Sequence, residues 1–475
     1  MPSSRTRAAA LACACALALS AGAAAPPGKT LSVADAVDRS FFGEDLPETL
    51  AWLPDGSAFL YHRPSAEGRP AAIVACGTDE LSRSVVLAEA QLMEALALGE
   101  VSETPDMDRF TLSPSGRFLL VPAGSAAVLW DRVANAPAGV LSGLGESPDL
   151  AWSPDETRLA YATGGDLWVV SRESGDKRRV AQGEPPLVTC GEADWLYGEE
   201  LDLDRAFWWS PDGKALAYFR FDETGVPTYP LLDQAELDPE VKPQFYPKPG
   251  EKNPRVTLEV VRLEPAGAGA VVAAESGEGY LARATWLPSS RAIAYQLLDR
   301  RQVKLSLVLF DLGSGERRLL LEETSPTWVN VLDEPRFFGR RPGFLWRSER
   351  DGFAHLYACS LDGSAPVQLT SGPWVVDELL EGDEKGGFAY VAGNRESPIE
   401  KHVYRVDLKG RAAVRLTEQA GWHEAEFSPT SAHFLDTRSR AGTPATLHLV
   451  ETASRRSRTG LEPPGPQLAE YGFSA

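Results

Sequence analysis

Glu199 and Glu200 stand side by side in the run Asp194 to Gly213, DWLYGEELDLDRAFWWSPDG, and paired carboxylates suit an ammonium ligand. Acidic doublets are common in this chain. Asp79–Glu80, Asp155–Glu156, Asp333–Glu334 and Asp377–Glu378 also occur, and most such pairs are solvated loop charges. The surroundings set this one apart, with Trp195 and Tyr197 before it and Phe207, Trp208 and Trp209 after it. Carboxylates among aromatic rings are expected to be partly desolvated, which strengthens their pull on a cation. Successive residues of a strand point to opposite faces, so both reach one ligand only from a helical turn or irregular loop. The stretch 198–205, GEELDLDR, lacks β-branched residues and permits such a turn. A peptide α-ammonium, with a pKa of roughly 7.7–8.0, is largely charged at neutral pH. Two charge-assisted hydrogen bonds to it are worth roughly 1.5–3 kcal/mol each. Glu199 and Glu200 are therefore the candidate substrate-binding residues, and a peptide with a free N-terminus the candidate ligand.

Something must hold that turn, and the rest of the chain is repetitive. A short motif of an apolar residue, Pro, a turn and an apolar strand recurs as AWLPDGSAFLY from Ala51, TLSPSGRFLLV from Thr111, AWSPDETRLAY from Ala151 and WWSPDGKALAY from Trp208. Weaker copies are TWLPSSRAIAY from Thr285 and EFSPTSAHFLD from Glu426. The turn reverses the chain tightly and the alternating run behind it reads as a half-buried strand. A second motif follows one hairpin later, as in DLWVVSRESGDKRRV from Asp166, LVLFDLGSGERRLLL from Leu307 and VYRVDLKGRAAVRL from Val403. One copy of each gives four strands, the size of a propeller blade. The expected fold is all-β, a propeller of seven or eight four-stranded blades, eight being favoured, over residues 30–462. Little helix is expected, Val33 to Asp38 being the best short candidate. From Val226 to Pro254 the chain turns proline-rich, which excludes a central strand and marks an extended arm.

Composition bounds the chemistry. Arg5 and Arg7, the apolar run Ala8 to Ser20 and Ala21-Gly22-Ala23 read as a secretory signal cut after Ala23, which predicts a periplasmic or secreted protein. No other segment approaches the roughly 20 apolar residues of a spanning helix. Cleavage removes two positive charges, taking the net charge from −20 to −22, and this disfavours nucleic acid as a partner. Cys76, Cys190 and Cys359 remain after it, enough for one disulfide at most. No His or Cys pair falls at metal-ligand spacing, and His355, His402 and His448 read as structural, so neither metal nor cofactor is expected.

The run DWLYGEEL resembles the Asp-Trp-Val-Tyr-x-Glu-Glu motif of the dipeptidyl peptidase IV family of serine exopeptidases, specifically its N-terminal propeller. FDETGVP from Phe221, YPKPGEKNP from Tyr246, SERDGFAHLY from Ser348, LTSGPW from Leu369 and ESPIEKHVYRVDL from Glu396 resemble family segments in the same order. The resemblance implies an eight-bladed propeller, a substrate amine held by Glu199 and Glu200, and a homodimer contact through the arm 226–254. It also implies a partner, the α/β-hydrolase domain that carries the family's Ser, Asp and His and starts shortly after a segment like EYGFSA, here Glu470 to Ala475. Residues 463–475 read accordingly as the start of a hinge to a missing or separate catalytic domain. No G-x-S-x-G occurs, and Gly313-Ser314-Gly315 reads as a hairpin turn, so no catalytic residue is assigned and this chain alone is expected to be inactive. Many members hold the substrate's second-residue carbonyl with an Arg between early strands; VPAGSAAVLWDR from Val121 supplies no match.

The expected function is that of the substrate-selecting propeller of an exported serine dipeptidyl peptidase, acting in proteolysis. The alternative is a stand-alone periplasmic propeller that binds or scaffolds without a peptidase role.

Overall fold

The computed structural model of the chain describes residues 46–461, apart from 48–49, 66–68, 146–148, 204, 234–239, 265–268, 411 and 442. The signal expected at 1–23, the helix expected at Val33–Asp38 and the hinge expected at 463–475 lie outside the described residues. Eight antiparallel sheets follow one another along the chain, over 50–88, 111–141, 151–181, 188–275, 280–324, 336–368, 376–415 and 422–461. These are the eight blades, and each consists of consecutive strands except the fourth, where two further strands are inserted. The interval between Pro288 and Pro429, without the proline motif, holds blades 6 and 7.

The proline turn begins each hairpin that carries it. In the first, Gly56 donates its N–H to Leu53 O at 2.8 Å, and Asp55 accepts from Ser57 N at 2.9 Å. The residue closing the turn is left-handed in all six copies, at Gly56, Gly116, Glu156, Gly213, Ser290 and Ser431. Glycine serves more than the dihedral at Gly116, where a Cβ would stand 2.6 Å from Pro54 Cδ of the preceding blade. The tryptophan of the motif also reaches backwards. Trp209 Nε1 donates to Ala151 O at 3.0 Å, and Trp286 Nε1 to Trp208 O at 3.2 Å, each crossing to the blade before.

Eight apolar clusters hold the ring, one between each pair of neighbouring blades. The closing one joins Phe59, Tyr61 and Val74 of blade 1 to Leu435, Leu447 and Leu449 of blade 8. Arg458 adds hydrogen bonds to the carbonyls of Thr78 and Asp79. Among the described residues the ring thus closes by side-chain packing and not by exchange of a strand. In a propeller the first strand of each blade lies nearest the central channel. The fourth strands carry the exposed runs that belong outside, as in Arg83–Ala88 and Arg317–Thr324.

Antiparallel order puts the first-to-second and third-to-fourth turns at one end of the ring. The second-to-third loops and the links between blades lie at the other. The arm is the second-to-third loop of blade 4. It is a two-stranded hairpin, Thr228–Asp233 with Glu240–Phe245, in which Pro230 faces Pro243. Two residues without N–H can face each other only as a non-hydrogen-bonded pair, so neither proline costs a ladder bond. The helix α1, Glu89–Leu98, was not anticipated. Its apolar residues Leu92, Ala95 and Leu96 recur at helical spacing and pack between blades 1 and 2, but the run is short and hidden between strand repeats.

Candidate functional site

The innermost strand of blade 4 is broken in two. Val188–Cys190 pairs with Asp222 to Arg220, and Phe207–Trp209 resumes on the same neighbour at Tyr218 to Leu216. Between them the chain leaves the sheet for 191–206, pinched at its base by the Glu192–Arg205 bridge. This excursion carries helix α2, Trp195–Leu201, a single seven-residue stretch. Asp194 caps it, accepting from Tyr197 N at 2.9 Å, and left-handed Asp202 ends it. The helical turn expected around the glutamates is therefore present.

Two aromatic side chains fix α2. Tyr197 is fully buried edge-on to Phe221, ring centroids 5.0 Å apart, and its hydroxyl accepts the Leu281 N–H of blade 5 at 3.1 Å. Trp195 packs on Tyr246 of the arm at 4.5 Å. These rings face the protein, and Trp208 packs on Phe219. Glu199 and Glu200 themselves are exposed. The expected desolvation by neighbouring aromatics does not occur, because the rings are drawn into the core and the carboxylates are left outside.

Consecutive helical residues lie about a third of a turn apart, so the two carboxylates share one side of the excursion instead of opposing faces. Glu200 lines a cavity of about 460 Å³ with Asp202 of the same excursion and Arg283 of blade 5. The loops around Arg300 and Trp328 complete its wall. Arg283 lies on the first strand of blade 5, Tyr280–Trp286. Sequence reasoning missed Asp202, which lies beside the doublet but was given no role, and Arg283 and Trp328, which are distant in the chain and carry no motif.

It also missed a pair of buried acids beneath the helix. Burial pushes the Asp194 carboxyl up to about 6. Burial and then the Asp194 charge push Glu223, at the base of the arm, to about 7. A raised carboxyl pKa means that its stabilising contribution is whole below the ordinary value of 4.5 and is lost as pH rises through about 7. Glu223→Gln should remove that loss and make the variant the more stable at about pH 8, by up to about 3 kcal/mol, with little advantage near pH 4. Urea unfolding at both pH values checks this; an equal difference at both would exclude the linkage.

The three histidines expected in strands are held by neighbouring polar groups. His355 is held by Thr370 Oγ1 and Gly372 O, both at 3.0 Å, and His402 repeats the contact with Thr417 one blade on. His448 meets Thr446 Oγ1 at 2.9 Å. Cys76, Cys190 and Cys359 are free and buried, and burial pushes the Cys190 thiol to about 11 and Cys359 to about 12. Among the described residues no group of three or more His, Cys, Asp or Glu could hold a metal, and no helix is long and apolar enough to cross a membrane.

The model of the dipeptidyl peptidase IV (DPP IV) N-terminal region matches residues 125–445, from the second blade into the eighth. The chain belongs to this family. Dipeptidyl peptidase 4 of Arthroderma otae is 30% identical over 300 residues, which are 60% of this chain and 38% of that protein. Dipeptidyl peptidase 4 of Trichophyton rubrum is 29% identical over 300 residues, with the same shares. The crystal structure of Porphyromonas gingivalis dipeptidyl peptidase 4 superposes with a TM-score of 0.79 at 23% identity, covering 94% of this chain and 64% of that one. A putative dipeptidyl aminopeptidase IV from Bacteroides ovatus gives 0.75 at 19%, covering 90% and 61%. At these identities the two structures establish the propeller fold of the DPP IV N-terminal region. The matched length is well under half of the fungal proteins.

Proposed function

We propose that this chain is the substrate-selecting propeller of an exported serine dipeptidyl peptidase and grips peptides by their free N-terminus. Glu199 and Glu200 are the grip, and the partner that cuts is an α/β-hydrolase catalytic domain. The observation that carries the reading is the break in the innermost strand of blade 4. A strand that runs unbroken would point two successive side chains apart; the capped turn at Trp195–Leu201 keeps both glutamates on one helical turn, with Glu200 at the edge of a cavity. The names of the relatives, all dipeptidyl peptidases longer than the matched region, support the same class.

Calorimetric titration of the chain with dipeptides, free and N-acetylated, tests the grip. The free amine should bind and its acetylated twin should not. Equal binding of the two, or none by either, would leave a scaffold role in its place.

A second copy of this chain is the other partner, met through the arm. Leu231, Leu232 and Val241 stand 47%, 53% and 58% exposed on a ribbon whose edges are open. Changing the three to Ser should shift sedimentation from dimer to monomer; an unchanged sedimentation profile would rule the arm out.

A further inference from the structure

The cavity beside Glu200 carries both signs of charge. Its lining includes Glu200 and Asp202 together with Arg283, Arg300 and Arg301. The arginines are not equivalent. Arg300 is committed to the arm, donating to Glu251 O. Arg301 is exposed to water. Arg283 is half-buried, and its Nη1 donates to a neighbouring backbone carbonyl, Ala282 O, at 2.7 Å. Glu334, Asp202 and Asp333 are close enough for their fields to reach its guanidinium. Among the described residues none of these approaches within ion-pair distance of it. The guanidinium is thus partly stripped of water, lacks a direct carboxylate, and opens on the cavity that Glu200 rims. Burial acts against its charge, so a bound anion there recovers what desolvation costs.

We propose that this cavity selects short peptides carrying a carboxylate near their free amine, and that Arg283 reads that carboxylate. The inference rests on the amine grip by Glu199 and Glu200 and adds the opposite pole. A volume of about 460 Å³ accommodates a dipeptide. Two sources offer the same chemistry. One is an acidic side chain on the first residue of a longer peptide, and the other is the C-terminal carboxylate of a dipeptide. Trp328, 63% exposed on the cavity wall, presents an apolar surface for the carbon skeleton between the charges.

Four ligands separate the outcomes in titrations of the chain: Glu-Ala amide, Ala-Ala free acid, Ala-Ala amide and N-acetyl-Glu-Ala amide. At least one of the two carboxylate-bearing amines should bind about tenfold or more tighter than Ala-Ala amide, and the gain should shrink with salt. Whichever of the two gains identifies the source. Arg283→Gln should abolish the gain while leaving Ala-Ala amide unchanged, and Arg283→Lys should restore part of it. Equal binding of the three free-amine ligands by the unmodified chain overturns the proposal without recourse to a variant. So does a gain that survives Arg283→Gln in a folded protein. If the acetylated ligand binds as well as Glu-Ala amide, the amine grip falls, while the comparison of carboxylates on the other ligands still decides Arg283. Absence of binding by any of them overturns both.

Discussion

Replacing Glu199 and Glu200 together by Gln should weaken binding of a free-amine dipeptide by about 2–3 kcal/mol, roughly 30- to 150-fold. Two charge-assisted bonds at full strength would give more. Both carboxylates are exposed, however, and solvent screening discounts each. The same exposure makes the interaction salt-sensitive, so the loss should be largest at low ionic strength. Neither side chain holds the fold, and the variant should unfold at the same urea concentration as the parent. An N-acetylated dipeptide gives the contrast, since its binding should not change. A double variant that keeps the affinity of the parent for the free amine would remove these residues from the site.

Tyr197→Ala should cost about 3–5 kcal/mol of stability, the range for deleting a large buried aromatic side chain. The ring fills the junction of blades 4 and 5 against Phe219 and Phe221. Its hydroxyl accepts the backbone N–H of Leu281 in blade 5. Tyr197→Phe isolates the second contribution and should cost roughly 1–2 kcal/mol. The alanine variant should also lose peptide affinity under conditions where it remains folded, because nothing else on α2 reaches so far into the core. Urea unfolding of the two variants together checks this. Similar midpoints for Ala and Phe would mean that the ring packs loosely and that α2 is held from elsewhere.

Stability and binding meet at this one helix. Asp194 starts it, Tyr197 anchors it and Glu200 faces the cavity, all within a single turn and a half. The acid Glu223 lies beneath and couples the helix to the base of the arm through the Asp194 charge. Trp195, packed on Tyr246, joins the same helix to the arm.

The repeat and its turns were legible in the residues themselves, whereas the break in the first strand of blade 4 came only from the structure. Pro followed by Asp and Gly fixes a reversal within four residues, and alternation behind it fixes a strand, so six blades could be marked locally and spacing left seven or eight in all. The helical turn at Glu199–Glu200 was legible for the same reason, since a strand cannot aim both carboxylates together. The ten-residue helix after blade 1 was overlooked, because its apolar spacing competes with strand patterns on both sides.

Tertiary structure alone decided what surrounds the two glutamates. The flanking aromatics suggested a sheltered pair, yet Tyr197 turns to a partner 84 residues away and takes the shelter with it. Arg283 and Trp328 reach the cavity from blade 5 and the link to blade 6, where no local pattern distinguishes them from other surface residues. Backbone preferences act over a few neighbours and are written along the chain. Charge, burial and the shape of a cavity depend on which blades close beside one another, and that is settled only when the ring packs.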